Sequence, residues 1–141
     1  ICANFLHEQQ NLNASFPSKA TNATDYLDQF RMTASYYWNA MYGFTVGFVD
    51  TFGSADAKRY PVAPITGSAA GLPDSQALIV QFDWTPWGND NTHAEFPWLN
   101  VRVGLQYTHY LEFNGGTTNY DGSGRNASDN DSYVLFTWFS F

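Results

Sequence analysis

Apolar and polar residues alternate with a period of two along much of this chain, most clearly in "WLNVRVGLQYTHYLEF". Leu99, Val101, Val103, Leu105, Tyr107, Leu111 and Phe113 fall on one face. Asn100, Arg102, Gly104, Gln106, Thr108 and Glu112 fall on the other, with His109 as the exception. The pattern predicts one strand with an apolar and a polar side. At about 3.3 Å per residue it would run roughly 50 Å, well beyond an ordinary soluble strand of about five or six residues.

The same alternation recurs upstream. Phe30, Met32, Ala34, Tyr36 and Trp38 oppose Gln29, Arg31, Thr33, Ser35 and Tyr37, and the run ends at the turn signal "NAMYG". "FTVGFVDTF" returns with Phe44, Val46 and Phe48 against Thr45, Gly47 and Val49, which predicts a hairpin. In "QALIVQFDWTPW", Leu78, Val80, Phe82 and Trp84 oppose Ala77, Ile79, Gln81, Asp83 and Thr85, and Pro86 stops the strand. "ICANFLHEQQNLNASF" reads as a weaker strand, and residues 132–141 as one apolar on both faces. Six strands are expected, in a single unit over residues 1–141 with no internal boundary.

Connection lengths alternate as well: 14–25 is medium, 39–43 very short, 53–75 long, 86–97 intermediate and 114–131 long. Long connections at one end and short ones at the other suit an antiparallel transmembrane β-barrel, whose periplasmic turns are short and extracellular loops long. Aromatic residues gather at strand ends. Trp38, Trp84, Trp87 and Trp98, with Tyr42, Phe96 and Phe141, fall at one end, and Tyr26, Phe52, Tyr110 and Phe113 at the other, as in the two girdles of a barrel.

Composition sharpens this picture. Charged residues make up 13% and aromatic ones 18%, against about 25% charged in a typical soluble domain. A net charge of -7 with six Lys and Arg argues against nucleic acid. Cys2 is the single cysteine, so these residues hold no intrachain disulfide, no CxxCH haem-attachment motif and no thiolate cluster for zinc. No stretch approaches the roughly 18 consecutive apolar residues of a spanning helix, which leaves strands as the means of crossing. "ICANFLHEQQ" lacks a basic n-region, and the chain reads as a mature start or a fragment. Single-chain bacterial barrels begin at about eight strands, so six strands are expected to form an incomplete barrel, part of a longer chain or one piece of a multi-chain assembly.

The final residues carry a resemblance. Phe141 in last place, with Phe139, Leu135 and Tyr133 on alternating positions before it, resembles the terminal strand signature by which the assembly machinery recognises bacterial outer-membrane barrels; Thr137 departs from it. "GFVDTFGSADA", "PDSQALIVQFDWTPW" and the stretch around "NYDGSGRNASDN" resemble the closing part of a proteobacterial outer-membrane protein family, many of whose members go by the names hypothetical or cytochrome c-related protein. The resemblance implies a location in the bacterial outer membrane, with lipid, the barrel-assembly machinery and the rest of a barrel as partners. It also implies a haem protein nearby, with haem held in a preceding segment or a partner and none in these residues.

Candidate chemistry is sparse. Gln29, Arg31, Gln81, Asp83, Asn100, Arg102, Gln106 and Glu112 form the expected lumen-facing set, since an Arg facing lipid near the midplane would cost roughly 2–4 kcal/mol. Asn119, Asp121 and Ser123 have calcium-loop spacing, but the twelfth position is Asn130 instead of the bidentate Glu, so a solvated loop is the preferred reading. The histidines are His7, His93 and His109; the pair Asp83 and His109 is expected to point to opposite faces, which speaks against acid-base catalysis. Sequons at Asn13, Asn22, Asn126 and Asn130 read as ordinary loop residues in a bacterial protein. Three functions remain open at this point: a porin-like channel or passive barrel, a barrel sheath or anchor for a haem-protein electron conduit, and a secreted all-β module that binds carbohydrate on Trp and Tyr platforms. No enzyme is expected.

Overall fold

A computed structural model of the chain describes residues 1–12, 20–87 and 99–141. Six antiparallel strands follow one another as a meander: β1 (Cys2–Asn11), β2 (Thr24–Trp38), β3 (Tyr42–Gly53), β4 (Ser75–Trp84), β5 (Asn100–Glu112) and β6 (Ser132–Ser140). Each pairs with its sequence neighbour, and the sheet curls into a half-barrel with β1 and β6 as its edges. β2 and β3 are joined by a tight turn in which Asn39 and Ala40 both have φ of 55° and Met41 N–H donates to the Trp38 carbonyl. Positive φ at both central positions is the geometry whose twist matches the flanking strands.

The registers align residues into rows. On one face these rows are Trp38–Tyr42–Trp84–Val103–Thr137, Tyr36–Phe44–Phe82–Leu105–Leu135, Ala34–Val46–Val80–Tyr107–Tyr133 and Met32–Phe48–Leu78–His109. A further row, Phe5–Phe30–Asp50–Gln76–Glu112, turns polar across the sheet. On the other face the buried strand residues gather: Asp25, Gly43, Gly47, Ala77, Asp83, Gly104 and Thr108. Most of the recesses open on this side, so it is the concave face.

Alternation along β5 does not persist to its end. A bulge lets Gln76 pair with Glu112 while Ala77 pairs with Tyr110, so one extra residue, Leu111, is accommodated. Because the side-chain period is two, that insertion reverses the faces beyond it. Glu112 therefore leaves the expected lumen-facing set and joins the convex row with Gln76 and Asp50. The first strand ends at Asn11, and residues 13–16 of the segment expected to be a strand lie outside the described residues.

Hydrophobic burial is unusual. Among the described residues the buried apolar side chains are Leu12, Ala77, Tyr120 and Ala127, while the apolar side chains of the convex rows are largely exposed. The tightest packing lies in the long connections. Tyr120, Asp56, Asp121 and Ser68 are fully buried there. These connections are tied to one another: Ser68 Oγ donates to the Asn114 carbonyl, Ala69 N–H to the Tyr120 carbonyl, and Gly115 N–H to the Asp74 carbonyl.

Candidate functional site: the concave face

One concave row runs Tyr37–Gly43–Asp83–Gly104–Phe136 across five strands. The two glycines are required by what lies over them. A β-carbon at Gly104 would collide with the Phe136 ring and stand 2.7 Å from Asp83 Oδ1; one at Gly43 would stand 2.8 Å from Tyr37 Cε1. Each aromatic ring thus lies over the bare backbone of its neighbour, a known way of protecting glycine inside a sheet.

Asp83, 2% exposed, sits between them. Its carboxylate accepts from Gln81 Nε2 at 3.1 and 2.9 Å, from Arg102 Nε at 3.0 Å, and from Arg102 Nη2 at 2.9 Å. A two-pronged guanidinium contact of this kind fixes the orientation of both groups and supplies the compensation a buried carboxylate needs. The Arg102 guanidinium carbon is also 5.8 Å from the Phe136 ring centroid, within cation–π range.

These groups floor a recess of about 330 Å³ at the short-turn end. Tyr37 and Trp138 wall it, 61% and 63% exposed, and Asn100, Thr85 and Ser140 bring polar groups to it. Tyr37 and Arg102 border the same recess, although two strands separate β2 from β5. In a flat sheet three strand spacings would be about 14 Å, so the curl brings the two side chains toward one another.

At the opposite end the connections form a hydrogen-bonded cap. Asp56 accepts from the N–H groups of Thr21 and Asn22 on one oxygen and of Lys58 and Arg59 on the other. Burial would raise its pKa, but those four donors outweigh it and hold the carboxyl well below the usual range. Asp121 behaves alike. Burial acts upward, and donation from the Ser123 hydroxyl and the N–H groups of Ser123, Arg125 and Ile65 brings the value down to about 2. Arg59 reaches from the cap to Asp25 on the concave face, 3.5 Å away.

Of the predicted lumen-facing residues, Asp83, Gln81 and Arg102 are in direct contact, and Gln106 shares a row with Gln81. Asn100 borders the recess, Gln29 donates to Thr51 Oγ1, and Arg31 lies beside Cys2, Asn4 and Thr33 at the β1 edge. Asp83 and His109 lie on opposite faces by register. Sequence reading missed the true partner of His109: its Nδ1 is 2.7 Å from Asp131 Oδ2, which also accepts from the Tyr107 hydroxyl at 2.5 Å. Tyr107 in turn stacks on Tyr133, centroids 4.7 Å apart.

The calcium-like spacing resolves into a self-satisfied loop. Asn119 Oδ1 accepts from Gly124 N–H, and both Asp121 oxygens accept from Ser123. Among the described residues no group of three or more His, Cys, Asp or Glu is placed to hold a metal. Trp38 and Trp84 share the outermost convex row with Tyr42, and Trp38 stacks on Tyr42 at 5.6 Å. Trp98, Phe96, His93 and Asn13 lie outside the described residues.

The chain is thus defined as an all-β protein built on a curled antiparallel half-barrel. It matches no family model, and neither a curated protein nor a solved structure is significantly similar to it.

Proposed function

We propose that this chain is part of the wall of a bacterial outer-membrane β-barrel, a porin-like or passive scaffold whose interior is filled near β6. The observation that carries the reading is the convex face, where aromatic and aliphatic side chains are exposed across the sheet. Soluble monomers rarely expose contiguous apolar patches beyond a few hundred Å².

The height of the apolar zone fits. From Trp38 to Phe30 is about 27 Å along the strand, or about 20 Å along a barrel axis tilted by about 40°. That is close to the apolar band of about 25 Å in outer-membrane barrels. Trp38, Tyr42 and Trp84 would then form the girdle on the periplasmic side, while His7, Asp28, His109, Asp131 and Glu112 would lie at the other headgroup level.

The edges of β1 and β6 would be intolerable in lipid, where each unpaired backbone group costs several kcal/mol. The working barrel is therefore completed by further strands. Val134 and Phe136 on the concave side of β6, the latter lying over Gly104, favour an interior filled at mid-sheet, beside the recess that Trp138 borders, over a wide aqueous pore, because an open lumen is lined by polar groups.

The test is reconstitution of this chain, together with the strands that complete its barrel, into vesicles whose lipids carry bromine at known acyl depths. Tryptophan fluorescence should be quenched most strongly by shallow bromines, with the sheet signal of circular dichroism retained. A chain that stays folded without detergent and shows no depth-dependent quenching would sink the proposal.

A further inference from the structure

We infer that the recess on the concave face is a binding site for a neutral carbohydrate, a pyranose ring of a monosaccharide or disaccharide. The inference needs only the inner face of the sheet and stands apart from the membrane reading.

Two features of the recess define the ligand. Its walls are aromatic and its floor is polar, the combination that suits a pyranose, whose ring faces present C–H groups and whose edges carry hydroxyls. Tyr37 and Trp138 lie on opposite sides of the floor, on β2 and β6, and both remain well exposed. Aromatic side chains of this kind can stack on a ligand at little entropic loss, since each turns about two bonds.

The floor carries no net charge. Asp83 and Arg102 neutralise one another in place, so neither a carboxylate ligand nor an ammonium ligand meets an uncompensated partner. Arg102 offers a planar fork of donors of which only part is directed at Asp83, and Asn100, Thr85 and Ser140 supply both donors and acceptors. Gly43 leaves the floor low, and the resulting volume of about 330 Å³ falls at the small end of ligand pockets, which span about 300–1,000 Å³.

The experiment is titration of the folded chain, in detergent micelles if needed, with maltose, cellobiose and lactose. Ligand-observed saturation-transfer NMR and tryptophan fluorescence are the readouts. Saturable binding of at least one disaccharide is expected, weakened about tenfold or more by Trp138→Ala and by Tyr37→Leu, with circular dichroism unchanged. Arg102→Lys keeps the charge and loses the fork, and should weaken binding while the sheet survives. Absence of saturable binding by all three sugars to the folded chain overturns the inference. So does binding indifferent to Trp138→Ala, or a preference for glucuronate or glucosamine over the neutral sugars. Lipid quenching without sugar binding would overturn this site alone, and sugar binding without lipid quenching would overturn the membrane reading alone.

Discussion

Arg102 and Asp83 hold one another across the β4–β5 pair, Nε to Oδ1 at 3.0 Å and Nη2 to Oδ2 at 2.9 Å, with the carboxylate almost wholly buried. Removing one member of such a pair leaves the other desolvated without compensation, which typically costs about 3–5 kcal/mol. Arg102 keeps about a third of its side chain exposed, which softens the effect. Arg102→Met should therefore destabilise by about 2–3 kcal/mol, and Arg102→Met with Asp83→Asn should recover most of it. Equilibrium unfolding in urea checks both, and additive effects of the two changes would contradict the pairing.

The glycine row makes a steric forecast. Gly104→Val must displace the Phe136 ring and crowd Asp83, an overpacking expected to cost about 1–3 kcal/mol. Phe136→Ala in the same chain removes the obstacle, so the double variant should be more stable than the sum of the single changes predicts. A thermal-melt cycle would expose the coupling.

Acid should undo the cap before it undoes the sheet. Both cap carboxyls have folded pKa values below their unfolded value of about 3.9, Asp121 at about 2. A depressed value contributes stability that is fully present above the unfolded pKa and disappears as pH falls through the folded one. The connections around Asp56 and Asp121 should stay protected at pH 5 and open between about pH 4 and pH 2. Pepsin cleavage mapped at stepped pH would locate the first cuts, expected in 54–74 and 113–131. First cuts within β2 or β3 would contradict this order.

Ile65 is held at φ of 74°, an uncommon conformation for a β-branched residue. Its carbonyl accepts from the Tyr120 hydroxyl, while its side chain is 55% exposed. Ile65→Gly relieves the strain and gives up little buried surface, so a stabilisation of about 1 kcal/mol is expected despite the added freedom of the unfolded chain. Denaturant midpoints compare the two forms, and a marked loss of stability would show that the side chain matters more than the backbone.

The convex face should respond oppositely to two solvents. Val80→Arg places a charge in the middle of the apolar rows and should cost about 2–4 kcal/mol in lipid. In water the same change would be nearly neutral and would raise solubility. Thr45→Arg on the concave face should be milder in lipid. Equal effects of the two changes in vesicles would argue against lipid on the convex side.

Local alternation determined much of this protein. Strand number, antiparallel order and the two faces of each strand follow from a period of two, because successive side chains in extended backbone point to opposite sides. The turn at Asn39 and the unequal connection lengths were legible for the same local reason. Only tertiary structure decided the bulge at Leu111 that turns Glu112 outward, since register depends on the partner strand. It alone decided that Asp131 meets His109, that Asp56 and Asp121 anchor a cap, and that Gly43 and Gly104 bracket Asp83. Those relations join residues far apart in the chain, and they arise from the curl of the sheet and the packing of connections against one another, which no local pattern records.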